Sequence, residues 1–231
     1  MELTSFLQVA AFTLLAALPT VHAGTTYYDI PWNMTADETY NVTIDQKVEP
    51  GSENARTADA YRVYLALTPP GWGTGPSCWL QYLIPVAETQ VNITIPPDVV
   101  PDKTRIRLST VLVNSKRPRN PTTGFDYSGR SIILGANGTW GKAELDGRSM
   151  GNADEVSCVA YSCVRDCYDQ YWKGDKDDDT FYEKSHACSQ ACTKDLNPSL
   201  SNAVSLNGVS IQNVLTVGMV VGFVHLIAGA F

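Results

Sequence analysis

From residue 25 to about residue 135 the chain is a succession of short runs in which apolar and polar residues alternate, with Gly, Pro, Asn and Asp between them. TTYYDI (25–30), TYNVTIDQKV (39–48), ADAYRVYLAL (58–67), CWLQYLIPV (78–86), TQVNITI (89–95), TRIRLSTVLV (104–113) and RSIIL (130–134) each predict a strand. In the second run Tyr40, Val42 and Ile44 share one face and Asn41, Thr43 and Asp45 the other, the period-two pattern of a half-buried strand. Seven short strands with no helical period predict a mainly β fold, a seven-stranded sandwich of immunoglobulin or fibronectin III type, over residues 24–145. No Cys-Trp-Cys arrangement of an antibody domain is present, which favours the fibronectin-like form.

After Gly141 the pattern changes. A polar stretch, 146–157, is expected to be a linker. It leads into CVAYSCVRDCYDQYW and TFYEKSHACSQACTK, two helix-like runs that predict a hairpin over 158–195. Cys163 and Cys167 are four apart, as are Cys188 and Cys192. That spacing puts each pair on one helix face, roughly 40° apart. Two antiparallel helices are then joined as a ladder, Cys163 to Cys192 and Cys167 to Cys188. Cys158 lies on another face and is left for Cys78 of the sandwich; pairing of Cys158 within the hairpin is the alternative. A hairpin this small buries too little apolar surface to hold itself, which is why it would need staples.

The two ends are apolar. Phe6 to Leu18 followed by Val21-His22-Ala23 has the form of a signal peptide, residues 1–23, although its leading segment carries Glu2 and no Lys or Arg. Val214 to Phe231 is almost wholly apolar and no charged residue follows Asp195. With the polar spacer 204–213 and the small triplet Ser201-Asn202-Ala203 it has the form of a glycosylphosphatidylinositol (GPI) attachment signal. Ser201 is the expected attachment residue, with Asn202 and Asn207 as alternatives; 196–201 is then a short tail and 202–231 a propeptide. A membrane partner through the anchor, and an extracellular location, follow from that reading.

Composition fits a secreted glycoprotein. Six cysteines, an even number, suggest three disulfides rather than a zinc site. Asn33, Asn41, Asn92 and Asn137 stand in glycosylation sequons, whereas Asn120 and Asn197 are followed by proline. Asn41 and Asn92 fall on the polar faces of their strands, as a glycan requires. A net charge of −7 argues against nucleic acid as a partner and is indifferent to a neutral sugar.

Candidate chemistry is sparse. Outside the two end segments the one histidine is His186, two residues before Cys188, with no nucleophile or metal-ligand pattern beside it. Asp175, Asp177, Asp178 and Asp179 lie between the helices; Thr180 and His186 stand where an EF-hand needs its glycine and final glutamate. No catalytic residue, metal or cofactor is expected. In PPGWGTGPSCW (69–79), Trp72 stands among glycines and prolines. It is the candidate carbohydrate contact; the other reading is that its ring closes one end of the sandwich.

VNITIPPDVVPDKTRIRLSTVLV (91–113) and NPTTGFDYSGRSIILGANGTW (120–140) carry Ile95-Pro96, Pro101-Asp102, Arg105-Ile106-Arg107 and Tyr127-Ser128. In these motifs the chain resembles the fungal Ser/Thr-rich GPI-anchored membrane-protein family, the wider group of the yeast β-1,6-glucan assembly proteins. SCVAYSCVRDC with CSQAC also resembles the cysteine-rich tails of small secreted fungal proteins. The long Ser/Thr-rich stalk of the family is missing. The resemblance implies a non-enzymatic role in cell-wall organisation with cell-wall β-glucan as a contact, and supplies no catalytic residue. A surface adhesion or recognition module, and a glycosidase or transglycosidase, are the competing classes.

Overall fold

The computed structural model describes residues 26–175, 178 and 180–194. The expectations for the signal peptide, Asp177, Asp179, the tail, Ser201, Asn202, Asn207 and the propeptide lie outside these residues.

Two sheets enclose one core. In the smaller sheet β3 (Thr39–Asp45) lies between β1 (Tyr27–Asp29) and β6 (Gln90–Thr94), all antiparallel. In the larger sheet the order is β2 (Asn33–Thr35), β10 (Ser131–Leu134), β7 (Arg105–Asn114), β4 (Ala60–Leu67), β5 (Gly75–Pro85). Two short strands, β8 (Arg117–Pro121) and β9 (Asp126–Tyr127), also pair with β7. The β2–β10 pair is parallel; every other pair is antiparallel. Val42, Ile44, Val91 and Ile93 of the smaller sheet meet Val63, Leu65, Ile106, Leu108 and Ile133 of the larger in one apolar cluster. The alternation along each strand supplies that inward face.

The described residues thus form ten strands rather than the expected seven. β2, β8 and β9 are two to five residues long, too short to show a period. The helical turns α1 (Glu53–Thr57) and α2 (Lys142–Leu145) were not expected either.

All eight residues of β4 are buried, because the larger sheet is covered on its outer face as well. Ala60, Tyr64, Val111, Val113 and Ala153 form a second apolar cluster there. Arg62 is fully enclosed beside it. Its guanidinium lies 3.9 Å from the Tyr82 ring centroid, donates to the Pro118 carbonyl at 3.0 Å, and pairs with Asp154. Segment 146–157, expected to be a linker, is therefore packed. Ala153 and Val156 are buried, Asp154 holds Arg62, and the Trp79 amide donates to the Val156 carbonyl at 2.9 Å. Its polar residues have partners inside the fold, which is why the stretch looked solvated.

A 3-10 turn (Cys158–Ala160) leads into α3 (Tyr161–Tyr171), which packs against α4 (Thr180–Thr193). The structure joins Cys163 to Cys192, Cys167 to Cys188 and Cys78 to Cys158. Tyr161, Val164 and Tyr168 make the core stripe of α3, and with Trp172 and Phe181 they belong to the same cluster as the interior between the two sheets. The hairpin shares the core of the two sheets instead of standing apart from it.

Candidate functional site

Trp72 sits in the loop between β4 and β5, in a turn closed by its amide donating to the Pro69 carbonyl at 3.0 Å. Its indole N–H donates to the Leu145 carbonyl at the end of α2, at 2.9 Å. The ring lies on Gly147, where a Cβ would stand 2.4 Å from the Trp72 Cζ2 atom. Gly147 also has φ +79°, so both space and backbone require glycine there. Trp72 remains 45% exposed. It is neither a cap buried over the core nor a free side chain; its N–H is satisfied, one side is seated, and the rest is open.

The next residue holds a second indole. Asp146 Oδ2 accepts from Trp172 Nε1 at 2.6 Å, and the Arg148 guanidinium lies 4.8 Å from the Trp172 ring centroid. Trp172 follows the last turn of α3, in Trp-Lys-Gly ahead of the inter-helix loop. A cavity of about 440 Å³ opens between these elements, lined by Lys142, Leu145, Asp146, Trp172, Lys173 and Gly174. Sequence reasoning singled out Trp72 and missed this cavity, because its walls come from α2 and from the end of α3. The one local signal was a tryptophan closing an amphipathic helix two residues before a glycine.

α2 is placed by a buried charge network. Glu144 Oε2 accepts from the Gly141 amide at 2.8 Å and from Arg165 Nε at 2.7 Å, while Oε1 accepts from the Tyr161 hydroxyl at 2.7 Å. Arg165 also donates to the Asp98 carbonyl at 3.2 Å and to that of Val99. Burial, and then the Glu144 carboxylate, push the Tyr161 hydroxyl well above its ordinary range. On the outer face of the larger sheet, burial does the same to Tyr64, whose hydroxyl donates to Asp154. Both networks are closed by their own hydrogen bonds, so their role is to hold the fold.

The remaining candidates take ordinary places. His186 is exposed on α4, with Nε2 3.2 Å from Gln190 Nε2, and the neighbouring Ser189 hydroxyl donates to the His186 carbonyl at 2.9 Å. A polar cavity of about 320 Å³ beside it is lined by Arg119, Asn152, Glu155, Gln190 and Thr193, among others. Asp178 caps α4: its Oδ1 accepts from the Thr180 amide at 2.9 Å and hydroxyl at 2.7 Å, and these bonds hold its carboxyl below the usual range. Asn33, Asn41, Asn92 and Asn137 are all exposed. Asn41 and Asn92 are register partners, and Asn41 Nδ2 donates to Asn92 Oδ1 at 2.9 Å. Among the described residues no group of three or more His, Cys, Asp or Glu is placed to hold a metal ion. No described helix is long and apolar enough to cross a membrane.

Comparison with protein-family models and with curated proteins finds no match to this chain.

Proposed function

We propose that this is a non-enzymatic, N-glycosylated, GPI-anchored protein of a fungal cell surface, acting in cell-wall organisation by contacting wall β-glucan through Trp72. The fold we assign it is an immunoglobulin or fibronectin III-like sandwich. Supporting that assignment are the two facing sheets, three strands against seven, with the parallel β2–β10 pair at one edge of the larger sheet. Pairing of all six cysteines and exposure of all four sequon asparagines support a secretory history.

The observation that carries the sugar contact is the posture of Trp72. An indole satisfied at its N–H, seated on a glycine and 45% exposed offers a rigid apolar surface at little entropic cost. Sugar rings present a face of C–H groups to such a surface and keep their hydroxyls in water.

One preparation tests the reading. Phosphatidylinositol-specific phospholipase C should release the protein from expressing cells, and the released protein should bind insoluble β-1,3- or β-1,6-glucan. Trp72→Ala should abolish the binding while lowering stability by only about 2 kcal/mol, the scale of one hydrogen bond and a half-exposed ring. Resistance to the lipase would refute the anchor. Full glucan binding by the Trp72 variant would refute the contact.

A further inference from the structure

Segment 145–148 orients both tryptophans. Leu145 holds Trp72 by its carbonyl, Gly147 gives that ring its seat, Asp146 holds Trp172 by its carboxylate, and Arg148 lies over the Trp172 ring. Leu145, whose carbonyl holds Trp72, is itself 45% exposed and lines the cavity beside Trp172. A large apolar side chain left open there adds little to the core.

The geometry points to an extended cleft for a neutral glycan, in which one hexose stacks on Trp72 and the chain continues over Leu145 into the cavity beside Trp172. This rests on the proposed role of Trp72 and deepens it. The lining surface is largely apolar, which suits the C–H faces of a sugar chain, and a few of its residues carry polar groups for the hydroxyls. Leu145 and Trp172 supply apolar surface for C–H faces, while Lys142, Lys173 and Asp146 offer donors and an acceptor to the hydroxyls. Among the described residues neither lysine forms an ion pair within 4 Å. A lipid chain would need an enclosed apolar cavity, whereas this one lies open to solvent. An anionic polymer would need unopposed cations, whereas Asp146 shares the cavity and Lys173 lies close enough to Asp178 to help lower its carboxyl pKa.

Placement supports the same occupant. α4 begins beside this cleft, with Phe181 edge-on to Trp172 at 4.9 Å between ring centroids. It ends about 21 Å away, at 1.5 Å per residue, where Thr193 lines the polar cavity of Arg119 and His186. Under the anchor reading the chain continues from that far end to the lipid. The cleft and the end of α4 from which the chain leads on to the expected anchor thus lie at opposite ends of that helix.

The test is a chain-length series. β-1,3- and β-1,6-linked gluco-oligosaccharides of two to six units are titrated into the glycosylated protein, purified from expressing cells, and followed by NMR. Affinity for one series should rise by roughly tenfold or more from two units to four or five and then level off. Leu145→Ala with Lys173→Ala, both exposed positions, should keep the melting temperature and two-unit binding while removing the rise. Binding that begins only with the longer chains and is lost in the double variant supports the cleft equally. A rise that survives the double variant, or no gain beyond two units, overturns the cleft and leaves the Trp72 contact standing. No binding at any length overturns both.

Discussion

The pair of sheets and the helical hairpin share one core but are held to it by different forces. The inward positions of β3, β4, β6 and β7 are almost all aliphatic, and their alternation alone buries a continuous interior. The hairpin's stripes are poorer. α3 turns Arg165 inward beside Tyr161 and Tyr168, and the buried face of α4 is Phe181, Ser185, Ser189 and Thr193. Two disulfides tie its helices together, a third ties its base to β5, and a buried ion pair reaches from it to α2. A sheet pair gains stability from area; a short appendage with little apolar area gains it from specific links.

The sharpest way to break that comparison is to remove one of the charged links. Arg165→Met leaves Glu144 enclosed, at 2% exposure, without its counter-charge or its Arg165 hydrogen bond. Breaking a buried pair from one side costs about 3–5 kcal/mol, read as a fall in the thermal or denaturant midpoint. Adding Glu144→Gln to the same chain should recover part of the loss, because no buried charge then lacks a partner. A single-variant cost under about 1 kcal/mol would mean that the hairpin is seated by its apolar contacts and that the two regions are held alike.

Next in size is the hairpin's own staple. Cys167 and Cys188 are 21 residues apart. Chain-entropy reasoning gives about 3 kcal/mol for a loop of that order. Cys167→Ala with Cys188→Ala should raise hydrogen exchange throughout α3 and α4 while β4 and β7 keep their protection, since those strands are held by the two sheets and by segment 146–157, which this bond does not tie. Equal loss of protection in both regions would show that the shared core couples them into one unfolding unit.

These two regions were also unequally legible in the sequence. Strands β3, β4, β6 and β7 show in the alternation because their inner faces are aliphatic, and the (i, i+4) cysteines show the helical ladder because their spacing matches the helical repeat. Arg62 was not legible as buried. A charged residue inside a strand marks a solvent face unless its counter-charge is known, and Asp154 is 92 residues away. The same distance effect made 146–157 resemble a linker: Asp146, Arg148 and Asp154 look solvated until Trp172 and Arg62 are placed against them. At the candidate site Trp72 stood out through its Gly/Pro setting, whereas Leu145, Trp172 and Lys173 became relevant only when α2 and the end of α3 met beside it. Local pattern reveals faces; it does not reveal which distant polar groups complete them.

The smallest effects come from one substitution made on both sides of the boundary. Trp79, on β5, packs edge-on to Tyr82 at 5.4 Å and against the outer cluster, and its indole N–H is buried with no hydrogen-bond partner among the described residues. Trp172, at the hairpin's end, donates its N–H to Asp146 at 2.6 Å. Phenylalanine at either place removes the N–H and a similar amount of ring. At Trp172 it also deletes a hydrogen bond to a carboxylate, about 1.5 kcal/mol at the low end of such bonds because Asp146 is exposed and can be rehydrated. At Trp79 no bond is lost, and relief of a desolvated donor, worth about 1–3 kcal/mol, offsets the contacts given up. Trp172→Phe should therefore lower the denaturant midpoint, whereas Trp79→Phe leaves it near the parent value. If both variants fall equally, ring packing alone sets the cost and the Asp146 bond adds nothing. If Trp79→Phe falls further, its N–H has an acceptor in solution, and the outer face of the larger sheet is linked by polar contacts as the hairpin is.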